Sequence, residues 1–146
     1  PDEREMLDMP RAESNDTFGD SIGWRMENIW PWAWALGYES EPPIDGEMIN
    51  EELRPLLTEF VPLPPDEVAA ALESYALRPA AEIVQLEDVF YCAHNAAKSA
   101  QLGGPPNCVP DGFDPITGGG VIHERRHALT WILSPGVEWD DTDLST

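Results

Sequence analysis

Apolar side chains surround the whole circumference of a helix drawn from residue 21 to residue 36. The large ones are Trp24, Met26, Ile29, Trp30, Trp32, Trp34 and Leu36. A helix that is hydrophobic on all sides is buried among other elements. Asp20 or Ser21 can cap its start, and Gly37 can end it. Pro31 must kink the helix or divide it into two pieces. The pattern therefore predicts a central helix that is interrupted near Pro31.

A regular apolar stripe with i, i+3 and i+7 spacing follows Pro79. Its members are Ile83, Leu86, Phe90, Ala93 and Ala97. This spacing is typical of the buried face of an amphipathic helix, and Pro79 suits the first turn. The helix is predicted to reach Ala100 or Leu102. Two shorter helices, bounded by prolines, are predicted at residues 47–59 and 65–77.

A last helical pattern covers residues 121–133 and is ended by Pro135 and Gly136. The segment before it, residues 103–120, contains several prolines and three consecutive glycines. Such a composition is typical of a loop. We therefore expect a long ordered loop in which the glycines form a flexible hinge.

The chain shows no alternation of apolar and polar residues of the kind that strands require. We predict an all-α fold with long loops rich in proline and glycine. A single compact helical domain is expected at residues 21–146, with the helices at 21–36 and 121–133 packed together at its centre. An acidic N-terminal arm is expected at residues 1–20.

Acidic side chains dominate the charge of this chain of 146 residues, with 28 Asp and Glu against eight Lys and Arg. The formal net charge is −20. Such a surface repels phosphate and anionic lipid, so we expect neither a nucleic acid nor a membrane as partner. The charge either keeps the protein soluble, reflects a salty cytoplasm or complements a strongly basic protein partner.

Two cysteines, Cys92 and Cys108, are too few for a disulfide framework, and a reduced cytoplasmic setting is expected. No segment is long and apolar enough for a membrane span, and no signal peptide is recognisable. Because the sequence starts at Pro1 without an initiator methionine, we expect it to be a fragment of a longer chain.

The segment His123-Glu124-Arg125-Arg126-His127 matches the HExxH signature of zinc hydrolases. At about 100° per residue, however, Glu124 and Arg125 fall within the apolar arc of the helix and both histidines fall opposite it. Two arginines beneath a metal would also repel a dication. We therefore expect a buried Glu124 and Arg125, exposed histidines and no metal. A zinc site at His123 and His127 is the weaker alternative.

Three segments carry a resemblance to a known family. They are Trp24-Arg25-Met26-Glu27 leading into Trp34-Ala35-Leu36-Gly37, then Glu124-Arg125-Arg126 leading into Ala128-Leu129 and Trp131, and finally Trp139-Asp140-Asp141. Together and in this order they resemble the uncharacterised bacterial family known as domain of unknown function 4272. The family pattern includes the Glu-Arg-Arg triplet but not the flanking histidines. The resemblance implies a fold and candidate site residues but no reaction, because the family has no established activity.

Arginines on apolar helix faces need carboxylate partners, because an unpaired buried charge is strongly destabilising. Arg25 and Arg125 both fall on such faces of their helical wheels. The predicted polar network comprises Arg25, Glu27, Glu124, Arg125, Arg126, Asp140, Asp141 and Asp143. It is either a set of ion pairs that holds the C-terminal segment on the helices, or a pocket in which Arg125 or Arg126 binds an anion. The core aromatic residues are predicted to be Trp24, Trp34, Trp131 and Trp139.

These patterns favour a protein that binds another protein and is not an enzyme. We expect no catalytic residue and no cofactor, and a basic protein partner for the acidic surface, as in an immunity or toxin-neutralising protein. The alternative is an enzyme or a binder of a small anionic ligand that uses an arginine–carboxylate pocket. A zinc hydrolase is the least favoured version of that alternative.

Overall fold

The computed structural model describes residues 8–61, 65–105 and 108–145, except for the side chains of residues 15, 18–23 and 65–69. The helices are α1 (Arg11–Arg25), α2 (Ile29–Ala35), α3 (Leu53–Phe60), α4 (Pro65–Ser74), α5 (Ala80–Gln101) and α6 (Thr117–Ile132). Short 3₁₀ turns cover Met26–Asn28 and Trp139–Asp141. These described ranges contain no strand, which confirms the predicted all-α fold.

The predicted central helix begins earlier than its sequence pattern indicates. Helix α1 starts at Arg11 and crosses the expected boundary between residues 20 and 21, so the predicted helix start was wrong. Residues 1–7 of the predicted acidic arm lie outside the described part of the chain, and the division into arm and domain stays a prediction. The expected interruption near Pro31 is present, because a 3₁₀ turn separates α1 from α2.

The main core forms where α2, α5 and α6 meet. It contains Trp34, Ala35, Ile83, Leu86, Phe90, Ile122 and Leu129. The apolar stripe predicted after Pro79 supplies the α5 part of this core, and Pro79 itself occupies the N-cap position of the helix. The segments that include Trp34 and Leu129 are in contact, as predicted for the two central helices. Burial of these apolar side chains is the main stabilising term for such a packing.

A second core lies between α2, the following loop and α3. It is formed by Trp30, Ala33, Ile49 and Leu57, with Tyr38 and Phe60 packed against them. The backbone N–H of Tyr38 donates to the carbonyl of Ala33, which ends α2. Helices α3 and α4 are both shorter than the predicted segments at 47–59 and 65–77. The loop after α2 therefore lies over a hydrophobic cluster of its own.

The three consecutive glycines form the first turn of α6 and are not a hinge, which corrects the prediction. Gly118 and Gly119 are buried. A Cβ atom on Gly120 would lie 2.5 Å from Cζ3 of Trp24, and one on Gly118 would lie 2.7 Å from Cε2 of Phe113. Atoms cannot approach so closely, so glycine is needed here for packing and not for a flexible backbone.

The described helices include none that combines the length and the hydrophobicity needed to span a lipid bilayer. The longest, α5, carries charged residues such as Glu82, Glu87 and Asp88 within its sequence.

Candidate functional site

Arg125 on α6 and Glu27 in the first 3₁₀ turn form an ion pair inside the protein. The exposed fraction of the side chain is 0 % for Arg125 and 1 % for Glu27. Nε and Nη2 of Arg125 donate to Oε2 of Glu27 over 3.1 and 2.7 Å. Charge-assisted bonds from two nitrogens of a planar guanidinium fix its orientation. The pair therefore holds α6 against the turn that follows α1.

The same two side chains hold the loop between α2 and α3. Nη1 of Arg125 donates to the carbonyl of Pro43 over 2.6 Å, and Nη2 donates to the carbonyl of Glu47 over 2.6 Å. The backbone N–H of Ile49 donates to Oε1 of Glu27 over 2.8 Å. All three bonds use the backbone of the loop. Its position therefore depends on the buried pair, and its exposed side chains take no part in these bonds.

Arg126, the next residue, connects three different elements. Its Nε donates to Oε1 of Glu87 on α5 over 3.2 Å. Its Nη1 donates to Nδ1 of His94 over 2.9 Å and to the carbonyl of Leu144 over 3.2 Å. The hydroxyl of Thr130 also donates to Oε1 of Glu87, over 3.0 Å. Arg126 therefore ties α6 to α5 and to the C-terminal segment.

The bond from Arg126 determines which nitrogen of His94 carries the proton. A guanidinium can only donate, so Nδ1 of His94 must accept and the proton must lie on Nε2. This Nε2 lies 3.4 Å from Nδ1 of His123, which then accepts. The three side chains thus form a chain of hydrogen bonds in which Arg126 donates to His94 and His94 donates to His123.

Both of these histidines are poorly placed to hold a positive charge. Burial lowers the pKa of His94 to about 4, and the charges of His123, Arg126 and Lys98 act in the same direction. Burial also lowers the pKa of His123, although the carboxylate of Glu124 opposes that shift. Desolvation disfavours the charged form of an imidazole. The neutral tautomers inferred from the hydrogen bonds are therefore the forms present at neutral pH.

His127 fastens the second 3₁₀ turn to α6. Its Nε2 lies 3.0 Å from the carbonyl oxygen of Trp139, so this nitrogen carries the proton and donates. Its ring also stacks on the indole of Trp139, with centroids 3.9 Å apart and planes inclined by 23°. Trp139 contacts Trp131 and Trp32 as well, with centroids 5.8 and 6.4 Å apart. The histidine is thus one side of an aromatic cluster.

The family model described as Domain of unknown function (DUF4272) matches residues 1–142 of the chain. The chain belongs to the DUF4272 family. Comparison with curated proteins and with solved structures gives no match in either set. Membership of DUF4272 confirms the resemblance noted in the sequence, and the family description names no activity.

The three DUF4272-like segments of the sequence meet in space. Glu27 of the first segment pairs with Arg125 of the second. Trp131 of the second segment contacts Trp139 of the third. Trp34 is buried, whereas Trp24, Trp131 and Trp139 are partly buried. The three segments that carry the resemblance thus bring together the centre of the fold, the loop after α2 and the C-terminal segment.

The structure corrects the prediction that Arg25 lies on a buried apolar face. Its side chain is exposed. The wheel that placed it on an apolar face assumed one continuous helix, but the chain passes into a 3₁₀ turn directly after Arg25. A 3₁₀ turn advances about 120° per residue instead of about 100°, so it rotates the following face by roughly 60° over three residues.

The carboxylates predicted to pair with the arginines occupy different places. Asp140, Asp141 and Asp143 are exposed. The backbone N–H of Ser145 donates a hydrogen bond to the carboxylate of Asp143, and this bond lowers the pKa of the carboxyl. The charge of Arg126 lowers the same pKa by a smaller amount. Glu124 was predicted to be buried but is only partly buried, and its Oε2 accepts a bond of 2.9 Å from the amide of Asn28.

The prediction that both HExxH histidines are exposed was wrong. His123 and His127 are partly buried, because α5 and the C-terminal segment cover the face of α6 opposite its apolar arc. They also point to different partners, His94 and the backbone of Trp139. Across the described ranges, no group of three or more His, Cys, Asp or Glu side chains is arranged to hold a metal ion.

Sequence reasoning missed the α5 half of the network. Glu87, Tyr91 and His94 follow one another at i, i+4 and i+7 and therefore share a helix face. The guanidinium of Arg126 lies 4.6 Å from the centroid of the Tyr91 ring, next to its bonds with the other two. That spacing is visible in the sequence, but a polar stripe is equally typical of a helix face that is exposed to solvent. That Arg126 is the partner of these side chains follows only from the packing of α5 on α6.

Proposed function

We propose that this protein is a non-enzymatic binding protein of the cytoplasm whose acidic surface receives a basic protein partner. We place the interface on the acidic loop, which we define as residues 39–52. An immunity-like protein that neutralises a basic toxin is one concrete form of this role. Both cysteines are free thiols, which suits a reducing compartment.

Carboxylates dominate the part of the surface formed by the acidic loop. The exposed acids are Glu39, Glu41, Asp45, Glu47, Glu51 and Glu52. The protein has eight basic side chains, and two of them, Arg125 and Arg126, are buried against carboxylates. Their charges are compensated internally, so these two arginines do not offset the exposed acids of the loop. Such a surface attracts a basic protein over a long range and raises the association rate.

The observation that carries the proposal is the attachment of this loop to the buried pair. Arg125 and Glu27 bind the loop backbone at Pro43, Glu47 and Ile49. These bonds fix the loop while its carboxylates face solvent. A fixed loop loses less conformational entropy on binding than a mobile loop would, so its charges contribute more to affinity.

The alternative of an anion bound by the arginines has less support. Arg125 is fully buried, and its Nε, Nη1 and Nη2 all donate to protein acceptors. Arg126 is bonded to Glu87, His94 and Leu144. An incoming carboxylate or phosphate would have to displace these partners and enter a strongly negative field.

Two variants of equal net charge test the proposal. The first changes the loop acids Glu39, Glu41, Glu51 and Glu52 to glutamine. The control changes the exposed acids Glu59, Glu73, Asp88 and Asp111 to their amides. Each protein is immobilised, exposed to extract of the native cell at low and high salt, and the captured proteins are quantified by mass spectrometry.

We expect a basic protein that is captured by the parent chain and by the control variant but not by the loop variant. Its capture should weaken as salt is raised, because screening shortens the range of the attraction. Loss of the same protein from both variants would mean that only total charge matters, and the loop would not be the interface. Capture that is insensitive to salt would contradict the electrostatic basis.

A further inference from the structure

A cavity of about 430 Å³ opens beside the acidic loop, between α5, the start of α6 and the segment at residues 108–113. It exists because α5 presents only small side chains to it, Ala93 and Ala96. Pro43 and Phe113 both form parts of its wall. The volume lies in the range of ordinary small-ligand sites, which is roughly 300–1,000 Å³.

The wall is held in shape by contacts described above. The carbonyl of Pro43 accepts a bond from Arg125. A Cβ atom on Gly118 would lie 2.7 Å from Cε2 of Phe113 and one on Gly46 would lie 2.8 Å from the same atom, so the ring is closely held by both glycine backbones. A cavity whose walls are fixed in this way needs little reorganisation to accept a ligand.

The chemistry of the lining is almost entirely apolar. Among the lining side chains that the structure describes, only the carboxylate of Asp45 and the thiol of Cys108 are not hydrocarbon. An apolar ligand that replaces water in such a space gains hydrophobic free energy. The lining alone therefore selects a hydrocarbon or aromatic body and does not select its charge.

The charge preference comes from Asp45. Its Oδ1 lies 3.9 Å from Nη1 of Arg125 and accepts the backbone N–H of Glu47 over 2.9 Å. Arg125 is already compensated by Glu27, so the three side chains together carry one negative charge in excess. Asp45 is half exposed, which leaves its carboxylate accessible to a ligand from solvent.

We propose that this cavity binds a small hydrophobic cation, with the apolar body between α5 and Phe113 and the cationic group at Asp45. The ligand class is that of an aromatic or branched aliphatic amine. The site adjoins the protein interface proposed above and shares Asp45 with it, but none of the four acids changed in that test lines the cavity.

The two free cysteines allow a direct measurement. Cys108 lines the cavity, whereas Cys92 is exposed on α5 and does not line it. The probe is phenethylamine, compared with 2-phenylethanol as the neutral analogue and 3-phenylpropionate as the anionic one. The rate of alkylation of each cysteine by iodoacetamide is followed by mass spectrometry over a range of probe concentrations.

We expect phenethylamine to slow alkylation of Cys108 and to leave the rate at Cys92 unchanged. The apparent Kd should be about fivefold lower for the amine than for the alcohol, as is typical of one partly exposed ion pair. The anionic analogue should bind most weakly. Equal protection of both cysteines, or none at Cys108, would overturn the proposed site.

Two substitutions separate the parts of the proposal. Asp45→Asn should remove the advantage of the amine over the alcohol while leaving the alcohol bound, and Asp111→Asn, in the neighbouring loop, is its matched control. Ala96→Phe should fill the cavity and abolish protection by either probe. An amine preference that persists in Asp45→Asn would overturn the assignment of the cationic group, and Asp45→Asn is informative even if Ala96→Phe does not fold.

Discussion

Glu27 and Arg125 lie 98 positions apart in the sequence, yet Nη2 of the arginine is 2.7 Å from Oε2 of the glutamate and both side chains are shielded from solvent. Each is the charge partner of the other in a region where water cannot replace it. The same pair also supplies the bonds that hold the backbone of the acidic loop. Loss of either side chain would therefore affect both the core and the loop.

We expect Arg125→Ala to lower the free energy of unfolding by about 3–5 kcal/mol, because it leaves the carboxylate of Glu27 buried without its cation. Urea denaturation followed by circular dichroism measures this change. Arg54→Ala is the matched control, since Arg54 is exposed and a surface change should stay within about 0.5 kcal/mol. The double variant Glu27→Leu with Arg125→Met should be more stable than Arg125→Ala. A double variant less stable than Arg125→Ala would contradict a desolvated pair.

Alanine substitutions of the glycines at the start of α6 should change stability in the direction opposite to that expected from helix propensity. Alanine is favoured over glycine inside a helix by about 1 kcal/mol. Gly120→Ala should nevertheless destabilise by roughly 1–3 kcal/mol, because the new methyl group meets the ring of Trp24. Gly119→Ala should cost less, since its nearest neighbour is Nε2 of Gln101 at 3.0 Å, at the end of a flexible side chain, and the overlap is smaller than at Gly120. Thermal unfolding of the two variants checks this order, and a stabilised Gly120→Ala would disprove the packing role.

Acidification should weaken the fold through His94. Its pKa is about 4 in the folded protein and near 6.5 in the unfolded chain, so the unfolded state binds the proton first. Stability is complete above about pH 6.5 and declines as the pH falls toward 4, by roughly 3 kcal/mol at the lower end. The free energy of unfolding should be measured at several pH values in the parent chain and in His94→Gln. The variant should lose less stability over this interval, and parallel curves would exclude His94 as the cause.

His127 should contribute to stability although it was predicted to be exposed. His127→Ala loses both the hydrogen bond to the Trp139 carbonyl and the stacking on its ring, a loss of about 1–2 kcal/mol. His127→Phe keeps the stacking and should fall between the parent and the alanine variant. Chemical denaturation gives the comparison. A phenylalanine variant no better than alanine would assign the effect to the hydrogen bond alone.

Periodicity predicted the parts of this fold whose position depends on local patterns. The α5 stripe from Ile83 to Ala97 and the buried Arg125 both follow from regular helical spacing within one unbroken helix. The prediction that Arg25 lies on a buried face was wrong because the 3₁₀ turn after it changes the rotation per residue. No residue type in the sequence indicates that turn. The prediction that His123 and His127 are exposed was wrong for another reason. The helical wheel correctly placed both histidines outside the apolar arc of α6. It cannot show, however, which other elements of the fold cover that face of the helix.

The glycine turn also has a consequence for hydrogen exchange. Consecutive glycines have little tendency to stay helical on their own, so the bonds from the Gly118 and Gly120 amides to the carbonyls of Asp114 and Ile116 persist only while Trp24 and Phe113 are seated against them. Those amides should exchange with solvent through the cooperative opening of the packed structure and not through local fraying. A helix end that would ordinarily be the first part to open thus becomes a reporter of whether α1, the segment at residues 108–113 and α6 are assembled.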